Sequence, residues 1–184
     1  AAGYFNPIGE SMKKAFLRAP LEFTRISDNF NMKRVHPLWN RTMPHRGIDY
    51  AAPVGTPVLA AGTGQVRVAG YTKANGNYVV IGHGTQFETK YLHLSKIGAG
   101  TRRGRKVSQG EVIGFVGSTG WATGPHLHYE FLVNGNHRNP RTVPLPKSNP
   151  INKAELKRFR SHMQPTLALL ASGKPRETTT AATN

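Results

Sequence analysis

From about Arg25 to Pro146 the chain alternates short apolar-rich runs with glycine and asparagine breaks. "PVLAAGTGQVRVAGY", "NYVVIGHG", "FETKYLHLS", "KVSQGEVIGFVG" and "HLHYEFLVNG" are rich in β-branched and aromatic residues, the pattern of strands bounded by turns. Asn75-Gly76 and Asn134-Gly135 are dipeptides that suit a tight hairpin, in which both central residues take positive φ. No helical pattern of about 10–15 residues separates these runs, which argues against parallel βαβ units. The fold class predicted is mainly β, a small antiparallel sheet or sandwich domain with a short helix at each end.

Helical spacing appears only outside this zone. In "GESMKKAFLRAP", Met12, Phe16 and Leu17 suit a short amphipathic helix ended by Pro20. Beyond Asn149, Pro150 fits a first helical turn, and Leu156, Phe159 and Met163 follow at helical spacing. Pro165 should end or kink that helix, with "TLALLAS" continuing it to Gly173. The tail "KPRETTTAATN" is polar and threonine-rich, and disorder is expected there. The predicted organisation is an N-terminal segment (1–24), a β domain (25–148), a C-terminal helix (149–173) and a tail (174–184).

Length changes this picture little: 184 residues suffice for one domain with a real core. Cysteine is absent, which excludes a disulfide framework, a thiolate metal site and a cysteine nucleophile. Charge matters more. With 25 Lys and Arg against 9 acidic residues, the formal charge of +16 implies attraction to nucleic acid, anionic lipid or acidic wall polymer. No stretch approaches the ~18 apolar residues of a membrane span. The opening "AAGYFNPIGE" lacks the basic start and apolar run of a signal peptide and begins without Met. A processed form or a fragment is therefore expected, with any export signal or partner domain upstream. The oligomeric state is not legible.

The chemistry concentrates in three short segments. "GPHLHYE" sets His126 and His128 two apart on a strand, facing the same way and roughly 7 Å apart along it. "PHRGIDY" sets His45 four residues before Asp49, one of only two aspartates in the chain. Gly47 and the following "AAPVGTPV" favour loop and strand there over helix. Alone, the histidine pair is equally well an exposed strand, and His-x-x-x-Asp a turn. Together they supply two imidazoles and a carboxylate, a catalytic Zn²⁺ shell with a water in fourth place. His45, Asp49 and one member of the HLH pair would complete it. "KYLHLS" adds His93, and imidazoles left over beside a metal are candidates for proton transfer and oxyanion stabilisation. No HExxH is present.

The segments "HRGIDYAAPVGTPVLAAGTGQV", "GNYVVIGHG", "YLHLS", "VSQGEVIGFVGSTGWATGPHLHYE" and Asn139-Pro140 resemble the lysostaphin-type, or LytM-type, zinc metallopeptidases. The resemblance runs from about Ile26 to Pro146, and "GESMKKAFLRAPLEFTRIS" extends it toward the MepM-like murein DD-endopeptidases of Gram-negative envelopes. It implies that His45, Asp49 and His128 bind zinc, while His93 and His126 are catalytic without being ligands. It also implies a groove floored by the sheet and walled by loops. The implied activity is hydrolysis of peptide cross-links in bacterial peptidoglycan, at the bond between D-alanine and meso-diaminopimelate. The implied location is the periplasm or cell envelope. A degenerate module that only activates another wall hydrolase is the alternative, against which the complete ligand set counts. Nucleic-acid binding rests on charge alone, since no recognised motif accompanies it and the aromatics are not interleaved with the basic runs.

The remaining residues are assigned more simply. His83 ends a strand before a glycine, where a structural or exposed role is expected. His36 is a candidate for lining the groove. Trp121 either stacks on substrate or anchors its glycine-rich loop half-buried. Glu130 shares the face of His126 and His128 and either contacts a ligand histidine or is a solvated strand-end residue. "TRRGRK" is expected to form a solvated hairpin tip.

Overall fold

The computed structural model describes residues 6, 8–9, 15–23, 25–36, 41–146 and 151–172. The strands in chain order are β1 (Arg25–Asp28), β2 (Val35–His36), β3 (Arg41–Thr42), β4 (Ile48–Ala51), β5 (Pro57–Leu59), β6 (Gly64–Thr72), β7 (Gly76–His83), β8 (Phe87–Ile97), β9 (Lys106–Val107), β10 (Val112–Val116), β11 (His126–Val133) and β12 (Asn136–Arg138). The single helix described is α1 (Lys153–Ala171). The chain divides into two compact units, Ala15–Leu145 and the two terminal segments together.

In the first unit every strand pairing is antiparallel. The main sheet runs β1-β4-β11-β8-β7-β6-β9, with β10 joining β5 to β8 and β12 paired to β11. Strand alternation gives β11 two unlike faces. Leu127, Tyr129 and Phe131 point into the core, while His126, His128 and Glu130 point the other way. β4 repeats this with Ile48 and Tyr50 inward and Asp49 outward. Register then sets Tyr129 between Ile48 and Tyr91, and His128 between Asp49 and Leu92. Each fully buried large apolar side chain contributes roughly 1.5–3 kcal/mol, so this register is held firmly, because a one-residue slip would turn the core face to solvent.

Two local expectations are corrected. Residues 15–21 form bends rather than a helix, and Met12 lies outside the described residues. The backbone here bonds to the β unit instead, Leu17 N–H donating to Ala61 O at 2.7 Å and Pro20 O accepting from Leu59 N at 2.7 Å. Phe16 is a core residue, edge-on to Phe131 with ring centroids 5.1 Å apart. The Asn75-Gly76 turn is also different. Asn134 and Gly135 both take positive φ in a two-residue turn, as expected, whereas at the β6–β7 hairpin Thr72 pairs with Gly76 across three residues. Only Gly76 is left-handed there (φ 65°), and Thr119 packs where its Cβ would stand.

In the second unit α1 is capped by Asn152, whose side chain accepts from Ala154 N at 3.1 Å. It continues through Pro165 to Ala171, and none of its residues is buried. No helix among the described residues is long and apolar enough to cross a membrane. The tail lies outside the described residues.

Candidate metal centre

Adjacent strands β4 and β11 bring Asp49 opposite His128, and the loop before β4 adds His45. That loop is fixed by reciprocal backbone bonds between His45 and Asn31, at 2.8 and 3.0 Å. Gly47 lets it lie close to β11, since a Cβ there would stand 2.5 Å from Tyr129 O and 2.8 Å from His128 Nε2. The outcome is three ligand atoms at one point. His128 Nδ1 is 2.7 Å from Asp49 Oδ1, and His45 Nε2 is 3.1 Å from each of them. A tetrahedral zinc site with bonds of ~2.0–2.1 Å has ligand-to-ligand edges of about 3.3 Å, so a few tenths of an ångström of opening would seat the ion.

Hydrogen bonds behind the imidazoles aim their lone pairs inward. His45 Nδ1–H donates to Asn29 O at 2.7 Å, leaving Nε2 as an acceptor toward the cluster. His128 Nε2–H donates to Glu130 Oε1 at 3.3 Å, leaving Nδ1 to face Asp49 Oδ1 and the cluster. Glu130 is buried and is itself held by His137 Nε2 at 2.9 Å and Lys90 Nζ at 3.1 Å. Burial raises the Glu130 pKa, but the bond from His128 and the charge of Lys90 prevail and bring it down to about 2. Burial likewise opposes a charged His128, yet the Asp49 and Glu130 carboxylates lift its pKa to about 9. Asp49 is held far below the ordinary carboxylate range, its burial outweighed by bonds to His128 and His45. Such a pocket stabilises positive charge, as a cation site requires.

His93 and His126 stand beside this cluster without joining it. His126 Nε2 is 3.8 Å from Asp49 Oδ1, and its ring lies 4.9 Å from that of His93. Both point Nε2 away from a common loop, because His93 Nδ1–H donates to Thr119 O and His126 Nδ1–H to Gly124 O, each at 2.8 Å. Burial lowers the pKa of His93, which favours its neutral form.

The five sequence-named residues therefore meet in one place, with three converging ligand atoms and two flanking imidazoles. Glu130 contacts the Nε2 of His128. His83 is buried and structural, bonded to Thr63 O at 2.9 Å and Thr89 Oγ1 at 2.8 Å. Trp121 is 74% exposed, so it is not a half-buried anchor. The side chain of His36 lies outside the described residues. In "TRRGRK", Arg102 and Arg103 are exposed around a turn at Gly104 (φ 86°), whereas Thr101 is buried. His137 was not singled out from sequence, although the Asn134-Gly135 turn pairs it with Leu132, on the Glu130 face.

On this antiparallel sheet His45, Asp49 and His128 form a group that could hold a metal ion, the kind of site a metallopeptidase carries. Residues 43–140, just over half of the chain, match the model of peptidase family M23, and the chain belongs to that family. The peptidoglycan DD-endopeptidase ShyC of Vibrio cholerae is 55% identical over 145 residues, covering 79% of this chain and 33% of the relative. ShyA of the same organism, also named a peptidoglycan DD-endopeptidase, is 45% identical over 85% of this chain and 36% of its own length. The chain thus spans about a third of these relatives. Among solved structures, a zinc-containing peptidase from Vibrio cholerae superposes with a TM-score of 0.70 at 40% identity, over 78% of this chain and 44% of that one.

Proposed function

We propose that this chain is the catalytic portion of a zinc endopeptidase that hydrolyses peptide cross-links of bacterial peptidoglycan, at the bond between D-alanine and meso-diaminopimelate. The observation that carries the reading is the convergence of His45 Nε2, Asp49 Oδ1 and His128 Nδ1, all within 3.1 Å of one another. Two imidazoles and one carboxylate suit zinc better than calcium or magnesium, which take oxygen ligands. Three protein ligands leave a fourth position open.

When bound there, zinc would polarise the scissile carbonyl and acidify a water. The chain's own residues supply the remainder. His93 and His126 are placed to accept and return protons at Nε2 and to hold the developing oxyanion, since their Nδ1 protons are committed to Thr119 O and Gly124 O. Glu130 and Asn29 orient the ligand rings. The complete ligand set weighs against a module that acts only by binding another hydrolase.

The names of the relatives support peptidoglycan as the substrate, and a polymer of this kind fits a location in the periplasm or cell envelope. The net charge of +16 would draw the protein to carboxylate-bearing stem peptides. Digestion of purified sacculi by zinc-loaded protein, followed by mass spectrometry of the products, tests the reading. Uncross-linked stem peptides with new D-alanine carboxyl ends are the expected products. Intact cross-links after exhaustive digestion would overturn it.

A further inference from the structure

A cleft of about 420 Å³ opens beside the metal cluster, lined by His45, His128, Glu130, Arg34, Met43 and Arg46 among others. Its charges are unequally satisfied. Arg34 is tied to Asp28 at 2.6 Å and donates Nε–H to Met43 O at 3.2 Å. The Glu130 carboxylate is occupied by His128, His137 and Lys90. Arg46 alone among the cleft's formal charges makes no hydrogen bond or ion pair with the described residues. It is exposed, directly follows His45 in the chain and lines the same cleft as His45 and His128.

We infer that Arg46 is a substrate-binding residue that takes a free carboxylate of the cross-linked peptide, in a subsite next to the metal. The inference rests on the peptidoglycan reading above. A guanidinium presents paired N–H donors that match a carboxylate bidentately, and a cleft whose other charges cancel leaves that cation unopposed. Two carboxylates of a stem peptide could fill the subsite. One is the carboxylate of diaminopimelate next to the scissile nitrogen, and the other is the free α-carboxylate of the γ-linked glutamate. Both offer the same planar anion, the first on the carbon that bears the scissile nitrogen and the second farther along the stem peptide. Because Arg46 is solvent-exposed, its effect should be moderate, about tenfold in affinity, the lower end for a charge-assisted bond.

The test uses three synthetic cross-linked peptides: one with both carboxylates free, and two with one or the other converted to the amide. The zinc-loaded protein should cleave one amidated peptide about tenfold less efficiently than the free form, chiefly through KM, and that peptide names the carboxylate. Arg46→Gln should lose this discrimination while keeping its zinc and its kcat on the amidated peptide, and Arg46→Lys should retain part of it. Equal cleavage of all three by the unaltered protein, or unchanged discrimination in Arg46→Gln, would overturn the subsite. Failure to cleave even the free peptide would instead strike the parent reading, and the subsite with it.

Discussion

His93 stands 4.9 Å from His126, ring to ring, on the side of the sheet opposite to Tyr91, its neighbour but one. Ordinary strand alternation would place His93 with Tyr91 in the core. A bulge prevents this. Asn77 faces Leu94 and Val79 faces Tyr91, so β8 carries one extra residue, and His93 takes the left-handed conformation at φ 63°. Such a φ costs a non-glycine residue of order 1–3 kcal/mol and persists only where its surroundings enforce it. Here Asn77 Nδ2–H donates to Leu94 O and Ser95 O at 3.1 and 3.0 Å. Thr119 Oγ1–H donates to Leu94 O at 2.7 Å, and His93 N–H donates to Asn75 O at 2.9 Å.

Removing those side-chain bonds should release the bulge without touching the metal cluster. Asn77→Ala and Thr119→Val should each lower kcat on a cross-linked peptide by about tenfold or more, with zinc content near one per chain. Thr119→Ser, which keeps the hydroxyl, should recover most of the turnover. Full turnover in both Asn77→Ala and Thr119→Val would show that His93 holds its position without them.

Much of the site was legible because it obeys strand period. His126, His128 and Glu130 share a face by alternation, and Asp49 joins them through register with β11. His93 was legible as a surplus imidazole, but its role came only from resemblance, since alternation places it in the core and no local residue announces the bulge. The partners that fix the imidazole tautomers, Asn29 O, Thr119 O and Gly124 O, are backbone carbonyls, which every residue possesses. Residues 15–21 misled for a related reason. Their apolar spacing fits a helix, but Leu59 at the end of β5 and Ala61 in the bend beyond it took their backbone bonds.

Glu130 orients His128 by accepting from Nε2. Glu130→Gln should weaken zinc binding by roughly 10–100-fold, the scale for altered groups behind a metal ligand. Competition with a fluorescent chelator would measure it. Unchanged affinity would reduce Glu130 to a structural partner of Lys90 and His137.

His83 provides a pH test of stability. Burial lowers its pKa below the 6.5 of the unfolded chain, so the unfolded state binds the proton more readily. Its contribution is therefore fully present above about pH 6.5 and is lost as pH falls through the lower folded value. Denaturant unfolding at a series of pH values should show stability declining on acidification. His83→Gln, though less stable overall, should show a shallower decline. Parallel profiles for the two proteins would contradict the assignment.

Charge should act at the level of the polymer. Binding to sacculi should weaken between low and moderate salt, because exposed charges are screened over ~10 Å at 0.1 M. Hydrolysis of a small soluble cross-linked peptide should depend less on salt, and co-sedimentation and turnover assays run in parallel would compare the two. Equal dependence would place the charge effect in the cleft itself.

The central claim is that His128 belongs to a three-ligand metal site which His126, two residues away on the same strand, serves without joining. Zinc stoichiometry and turnover of His126→Ala and His128→Ala, in protein first verified as folded by circular dichroism, test it most directly. His128→Ala should lose zinc or bind it far more weakly, and lose activity with it. His126→Ala should keep about one zinc per chain, while its turnover falls by ~10²-fold or more. Zinc lost from His126→Ala and retained by His128→Ala would contradict the account.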